Sequence, residues 1–75
     1  MTVNVPLANI RPDIAASRRE AIDNATVARY VADIDGMSPA DATLSDGTYW
    51  IKDGFHRFLA CLDAGRTTMP ISLEN

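Results

Sequence analysis

The chain contains few of the residues that build disulfides and metal centres. Its 75 residues include one cysteine, Cys61, and one histidine, His56. A single cysteine excludes an internal disulfide, and one cysteine with one histidine supplies too few ligands for a zinc site. The sequence therefore predicts no metal centre built from these side chains. The lone thiol indicates a reducing compartment, for which we expect the cytoplasm.

Long hydrophobic runs and an excess of basic charge are also absent from the sequence. The longest apolar stretches are far shorter than the ~20 residues that a membrane-spanning helix needs, and the first residues lack the pattern of a secretory leader. We therefore expect no membrane association. The net charge of −3 argues against a nonspecific nucleic-acid binder, while a local basic patch for DNA stays open.

Length and composition instead fit one small globular domain over residues 1–75. Hydrophobic residues make up 47% of the chain and charged residues 23%, which are ordinary values for such a domain. A chain this short buries only about 60–65% of its unfolded surface on folding. Because so thin a core leaves apolar surface exposed, we expect the chain to form a homodimer.

The first half of the chain is predicted to form a strand, a loop and a helix. Residues 2–10 read as one short strand, which Pro6 restricts to a sheet edge or a strand end. An arginine-rich loop follows. Asn24 is a good helix cap, apolar residues recur at helical spacing after it, and Gly36 ends the run. The first helix is therefore predicted over residues 24–35.

The second half is predicted to form a hairpin, a second helix and a last strand. Asp46-Gly47 lies between two strand-like runs and is a strong hairpin signal, and Tyr49 and Trp50 should point to opposite faces of the strand that follows. The second helix ends at Gly65 and has Cys61 as a small filler off its main apolar face, which consists of Phe55, Phe58, Leu59 and Leu62. The order strand, helix, hairpin, helix, strand describes a small mixed α+β domain.

The stretch Asp53-Gly54-Phe55-His56-Arg57 places two cationic side chains in the first turn of the second helix, off its predicted apolar face. A cation there costs about 0.3–1 kcal/mol against the helix dipole unless an anion offsets it. Gly54 would let a phosphate approach the backbone, Arg57 would bind it through two hydrogen bonds, and His56 would donate a hydrogen bond or carry a proton. The simpler alternative is that Asp53 caps the helix, Gly54 forms the turn and both cations are solvated.

The sequence resembles the ParB/sulfiredoxin-like domain over nearly its whole length. The segment YWIKDGFHRFLACLDAGRTTMPI is similar to the end of that domain, where a strand, a Gly-x-x-Arg turn and a helix precede a final strand. The segment VPLANIRPD followed by SRR is similar to the family's opening, and VARYVADIDGMSPAD to its first helix. The most specific part is the turn at residues 53–57. The resemblance implies the ParB/sulfiredoxin-like fold and a phosphate site at this turn.

The branches of this family imply different activities. Partition ParB proteins bind CTP here, usually with two adjacent arginines where this chain has His56 and Arg57, and their DNA-binding and dimerisation domains do not fit into 75 residues. Sulfiredoxins read Gly-Gly-Cys-His-Arg, so Phe55 replaces their essential cysteine and Cys61 lies almost two turns too late. We therefore expect no sulfiredoxin activity. Free serine kinases read Asp-Gly-His-His-Arg, which is the better match.

Further site residues follow from the resemblance. A kinase of this type needs a carboxylate base, for which Asp13 and Glu20 are the candidates beside His56. Arg18 and Arg19 match the family arginine after the first strand and would bind the same phosphates, unless they are a solvated pair. Asp53 would orient His56 or hold Mg²⁺ beside a nucleotide, unless it is the helix cap.

Two functions are therefore carried forward. The first is a stand-alone domain that binds CTP or ATP with Mg²⁺ through Arg18, Arg19, Asp53, Gly54, His56 and Arg57, with hydrolysis or phosphoryl transfer as open outcomes. The alternative is a non-catalytic interaction module for a protein or DNA partner, of the kind that phages and plasmids carry. The sequence does not specify the nucleotide or the partner.

Overall fold

The computed structural model of the chain describes residues 2–12 and 22–73. These residues form an α+β domain, as predicted, with two helices and one mixed sheet whose strand order is β1-β5-β3-β4-β2. The described elements are β1 (Thr2–Pro6), a 3₁₀ turn (Leu7–Asn9), β2 (Ile10–Pro12), α1 (Asn24–Ala32), β3 (Ala40–Ser45), β4 (Thr48–Asp53), α2 (Phe55–Asp63) and β5 (Thr68–Leu73).

The single first strand predicted over residues 2–10 is in fact two strands at opposite edges of the sheet. β1 ends at Pro6 and pairs antiparallel with β5, which confirms that the proline lies at an edge and at a strand end. The 3₁₀ turn then redirects the chain, and the Leu7 amide donates to the Thr67 carbonyl at 2.9 Å. β2 pairs in parallel with β4. The predicted loop therefore begins too early, because Arg11 and Pro12 belong to a strand that only this distant pairing creates.

The hairpin of β3 and β4 is confirmed at the predicted turn. Asp46 and Gly47 have φ angles of 53° and 78°, the left-handed pair that a two-residue turn between twisted strands requires. The alternation of side chains beyond the turn is also confirmed. Tyr49 packs against the core, whereas Trp50 is 37% exposed on the opposite face. The hairpin thus supplies the centre of the sheet and ends in β4, directly before α2.

Helix α1 differs from its prediction at both ends. Its N-cap is Asp23 rather than Asn24, because the Asp23 carboxylate accepts hydrogen bonds from the amides of Ala25 and Thr26. The helix ends at Ala32 instead of residue 35. The Gly36 amide closes a turn on the Asp33 carbonyl at 3.0 Å, so this glycine lies beyond the helix end that it was predicted to cause.

Helix α2 ends as predicted but buries a different face. Gly65 has a φ of 74°, and its amide and that of Arg66 close the last turn onto the helix carbonyls, the Schellman pattern. The fully buried residues are Ala60 and Cys61, whereas Leu62 is 51% exposed. Small side chains form the contact face because α2 packs directly on β3 and β5. Cys61 is therefore a core residue and not off the apolar face.

The core lies between α2 and one face of the sheet, and α1 packs on α2. Its buried members come from every strand and from α2, and include Val5, Leu7, Ile10, Ala40, Ala42, Ile51, Cys61, Met69 and Ile71. No buried polar side chain occurs among the described residues. Within the same ranges, no helix has the length and apolar character needed to cross a bilayer.

Candidate functional site

The N-termini of both helices open onto one pocket of about 300 Å³. This volume is at the small end of the range for small-molecule sites. Helix α1 contributes its first turns and Tyr30, β4 contributes its last residue, and α2 contributes its N-cap and first turn. The lining residues are Asp23, Thr26, Tyr30, Asp53, Gly54, Phe55, His56 and Arg57. The structure therefore brings together all four predicted residues of the 53–57 turn.

Gly54 makes the turn from β4 into α2 and is the N-cap of the helix. Its φ of 115° lies in a region that side chains rarely adopt, and a Cβ there would be 2.6 Å from the Cβ of Ala40. Glycine is thus required both by the backbone angle and by the close approach to β3. The cap makes no side-chain hydrogen bond, so the alternative in which Asp53 caps the helix is wrong. Asp53 is instead the last residue of β4.

Arg57 points toward the body of the domain. Its Nη1 donates to the Pro39 carbonyl at 3.0 Å, and its guanidinium carbon lies 5.8 Å from the centre of the Tyr30 ring. Arg57 is half-buried and is not a core residue, as predicted, although it lies one helical turn before the buried Ala60. The contact with Pro39 engages one of five N–H donors. Arg57 therefore ties the loop before β3 to α2 and also lines the pocket.

His56 connects the starts of the two helices. Its Nε2 accepts a hydrogen bond from the Asp23 amide at 3.0 Å, across 33 residues of sequence. Because a backbone amide can only donate, Nε2 is the acceptor in this contact. The sequence suggests a histidine that donates toward a phosphate. In the structure its Nε2 instead accepts from the Asp23 amide.

Asp23 is the residue of this site that sequence reasoning missed. Its carboxylate accepts from the Thr26 hydroxyl at 2.9 Å and from the amides of Ala25 and Thr26 at 3.1 and 3.3 Å. These hydrogen bonds, that of the Thr26 hydroxyl first, lower the pKa of the Asp23 carboxyl, and the nearby His56 lowers it further. The sequence did carry a signal, since aspartate is one of the residues that most favour the N-cap position.

The other predicted site residues cannot be placed. Asp13, Arg18, Arg19 and Glu20 lie outside the described residues, so their roles as bases and phosphate ligands stay predictions. Among the described residues, no three His, Cys, Asp or Glu side chains come together as a metal cluster. Tyr30 and Thr26 are further pocket residues that the sequence analysis did not select, because their helix face carried no functional pattern.

Solved structures of several activities have the same fold as this chain. Sulfiredoxin from Arabidopsis thaliana matches with a TM-score of 0.81 and 28% identity, over 100% of this chain and 85% of that one. The C-terminally truncated chromosome-partitioning protein ParB from Caulobacter crescentus, complexed with CTP-gamma-S, matches with a TM-score of 0.81 and 20% identity, over 100% of this chain and 44% of that one. The same ParB was also solved with the centromeric parS site.

A third match is a free serine kinase in complex with AMP, with a TM-score of 0.76 and 18% identity, over 99% of this chain and 31% of that one. This chain thus spans less than half of the ParB structure and about a third of the kinase. A scan of protein-family models and a search of curated proteins found no match. The predicted ParB/sulfiredoxin-like fold is confirmed, and the ParB and kinase neighbours were solved with bound nucleotides.

Proposed function

We propose that this chain, which has the ParB/sulfiredoxin-like fold, binds a nucleotide through its phosphates in the pocket where α1 and α2 begin. The observation that carries the proposal is the start of α2. A left-handed glycine without any side-chain cap leads into the helix, and the Arg57 guanidinium lies within 3.2 Å of the position that a Cβ on that glycine would take. Backbone amides and a fixed cation thus converge on one small volume.

The physical chemistry of this arrangement favours a polyanion. The first amides of a helix have no acceptor within the helix, and the dipole adds partial positive charge at that end. Arg57 adds charge-assisted donors, and its contacts with Pro39 and Tyr30 hold the guanidinium in one orientation. The aromatic rings of Tyr30 and Phe55 also line the pocket. They would give a base or ribose an apolar surface beside the phosphates.

The structural neighbours support a nucleotide as the ligand. One was solved with CTP-gamma-S and another with AMP, so we propose CTP or ATP. Mg²⁺ usually binds proteins through one or two carboxylates together with substrate phosphates. The Asp53 carboxylate at the pocket fits that requirement and is the residue that would hold the ion, whereas the Asp23 carboxylate already caps α1. The bound ion would neutralise phosphate charge.

We infer further that the chain is not a sulfinic-acid reductase. Phe55 is the residue that opens α2, at the position where the resemblance places the reactive cysteine of sulfiredoxins. Cys61 is only 2% exposed, and burial raises the pKa of its thiol, which disfavours the reactive thiolate. Repair of a hyperoxidised peroxiredoxin by this protein with ATP would overturn the inference.

Thermal melting with each of the four ribonucleotides and Mg²⁺ tests nucleotide binding. A ligand at a hundred times its Kd stabilises the fold by about 2.7 kcal/mol, so CTP or ATP should raise Tm by several degrees and the bare nucleoside should not. Incubation of the nucleotide that shifts Tm, followed by separation of the products, distinguishes binding from hydrolysis. If no nucleotide shifts the wild-type protein, the proposal is wrong.

Two arginine variants assign the effect to the pocket. Arg57→Lys keeps the charge but loses the planar fork, and it should reduce the nucleotide-dependent shift. Arg66→Ala is the matched control, because it removes an arginine of the same chain outside the pocket, where its partner is Asp35 at 2.9 Å. Arg66→Ala should keep the full shift. Equal shifts in both variants would place the nucleotide elsewhere.

A second candidate function is the non-catalytic interaction module, which the exposed apolar side chains favour. Ile22 and Leu62 are 56% and 51% exposed, and Ile22 also lines a groove of about 390 Å³ with Val27 and Leu59. Light scattering of wild type and Ile22→Asp tests self-association through this groove. A mass of 8.2 kDa for wild type at micromolar concentration would contradict the homodimer.

A further inference from the structure

We propose that the outer edge of β1 is a self-association site, where a second copy of this chain adds its own β1 antiparallel and joins the two sheets into one. β1 is the first strand in the order β1-β5-β3-β4-β2, and among the described residues no strand pairs with its outer side. An unpaired strand edge presents backbone N–H and C=O groups to which another strand can bind. The site does not depend on the nucleotide pocket, because β5 and β3 separate β1 from β4.

The hydrogen bond between Leu7 and Thr67 shows which backbone groups of β1 point outward. The Leu7 amide donates to the Thr67 carbonyl at 2.9 Å, and these two residues continue the antiparallel register in which Pro6 lies opposite Thr68. In such a register, hydrogen-bonded and non-hydrogen-bonded pairs alternate along the strand. Every second residue counted back from Leu7 therefore bonds to β5, and the backbone groups of the residues between them point outward. The outward-facing residues are Thr2, Asn4 and Pro6.

A proline in β5 supports this assignment. Pro70 lies opposite Asn4 and has no amide hydrogen, so a hydrogen-bonded pair at this position would lack one of its two bonds. A pair whose backbone groups point away from one another loses nothing between β1 and β5. Thr2, Asn4 and Pro6 are also exposed. The edge therefore offers a partner the amides of Thr2 and Asn4 and the carbonyls of all three residues.

The sequence of β1 suits a second copy of itself. Val3-Asn4-Val5 reads the same in both directions, so an antiparallel copy centred on Asn4 presents identical residues. Residues 2–10 include no charged side chain, although the chain has a net charge of −3. Two copies of β1 can therefore meet without like charges facing each other. The strand also lacks the charged residues with which many natural edge strands prevent such pairing.

The register centred on Asn4 pairs all five residues of β1. In this register Asn4 would exchange its amide and carbonyl bonds with Asn4 of the second copy, and the Thr2 amide would donate to the Pro6 carbonyl of the second copy. The missing amide hydrogen of Pro6 removes one bond at each end of the paired strands. On the core side of the sheet, Val3 would lie opposite Val5 of the second copy, and β-branched side chains pack well in such pairs.

Sedimentation equilibrium measures this association. Because strand addition buries a small area, we expect a weak dimer, with the mass rising from 8.2 kDa toward twice that value across the micromolar range and up to about 1 mM. Asn4→Lys places like charges opposite each other on the symmetry axis and should weaken dimerisation about fivefold or more. Ser45→Lys is the matched control, because it adds the same charge at an exposed position of β3. It should dimerise like the wild type.

Amide hydrogen exchange identifies the edge independently of mass. The Asn4 amide should exchange rapidly in dilute protein and more slowly in concentrated protein, whereas the Val5 amide, which bonds to β5, should be protected at both concentrations. Asn4→Pro removes only the outward-facing amide, so circular dichroism should show an intact fold while dimerisation weakens about tenfold or more.

Three results would overturn the proposal. The first is a constant mass of 8.2 kDa up to about 1 mM. The second is a dimer in which the Asn4 amide stays unprotected. The third is a dimer that Ile22→Asp dissociates but Asn4→Lys and Asn4→Pro do not, which would assign self-association to the groove beside α1.

Discussion

Helices α1 and α2 begin at the same pocket, and their N-termini differ in what occupies them. The N-terminus of α1 carries its own anion, since the Asp23 carboxylate accepts from two amides and from the Thr26 hydroxyl. The N-terminus of α2 has Gly54 as its cap, without a side-chain hydrogen bond, and is followed by His56 and Arg57. The start of α1 is capped by the chain's own carboxylate, and the start of α2 has no side-chain cap; under the proposed function a separate anion would bind there.

The difference shows that a helix start without a side-chain cap is a candidate site for a bound anion. A serine or aspartate in place of Gly54 would supply a capping oxygen. The backbone angle and the proximity of Ala40 exclude every side chain at this position. The start of α2 therefore has no side-chain cap, whereas the start of α1 in the same pocket is capped by Asp23.

Replacing the glycine cap should have the largest effect on stability. Gly54→Ala combines a left-handed angle with a clash against Ala40, and we expect a loss of about 2–6 kcal/mol in the free energy of unfolding. Gly65→Ala is the matched control, because its φ is also positive but no atom lies within 4 Å of the added Cβ. It should cost only about 1 kcal/mol. Equal losses in denaturant titrations would contradict the close approach to Ala40.

Replacing Arg57 in the first turn of α2 should have the second-largest effect on stability. Arg57→Ala loses the hydrogen bond to Pro39 and the contact with Tyr30, so the ligand-free protein should lose about 1.5–3 kcal/mol of stability. Arg66→Ala loses an exposed ion pair with Asp35 and should cost less than about 1 kcal/mol. Chemical unfolding of both variants measures the difference. A neutral Arg57→Ala would mean that the arginine serves the ligand alone.

Replacing Asp23, the N-cap of α1, should have the smallest effect on stability, and that effect should depend on pH. The pKa of Asp23 is lowered in the folded protein from its ordinary value of 3.8. Its contribution to stability is therefore present above that value and is lost as the pH falls through the lower, folded-state pKa. Asp23→Ala should lower Tm at neutral pH, with the difference from wild type shrinking in acid below pH 3.8.

Asp23→Asn sharpens the same comparison. Asparagine caps helices about as well as aspartate, so the variant should keep most of the stability while removing one negative charge from the pocket. Sulfate should then bind more tightly than to the wild type, because the internal anion no longer repels it. Weaker sulfate binding by Asp23→Asn would show that the carboxylate assists the ligand rather than competing with it.

Much of this fold follows from short segments whose conformation is a local matter. Asp46-Gly47 adopts left-handed angles that few other residue pairs accept, and Gly65 ends α2 for the same reason. The turn at residues 53–57 could be predicted for the same reason, since Gly54 lies directly between the strand-like and the helix-like run in the sequence. In these cases the conformation depends on the residues of the short segment itself, so the local sequence is enough to predict it.

Other features were decided by contacts between distant parts of the chain. Arg11 and Pro12 form a strand only because β4 lies beside them. Asp23, and not Asn24, caps α1 at a position where its backbone amide also donates to His56, 33 residues away in the sequence. Arg57 is half-buried because the face of α2 that fits the sheet is the one with the small side chains of Ala60 and Cys61. Local spacing gives a helix its apolar residues, but the surface that the helix packs against selects which of its faces is buried.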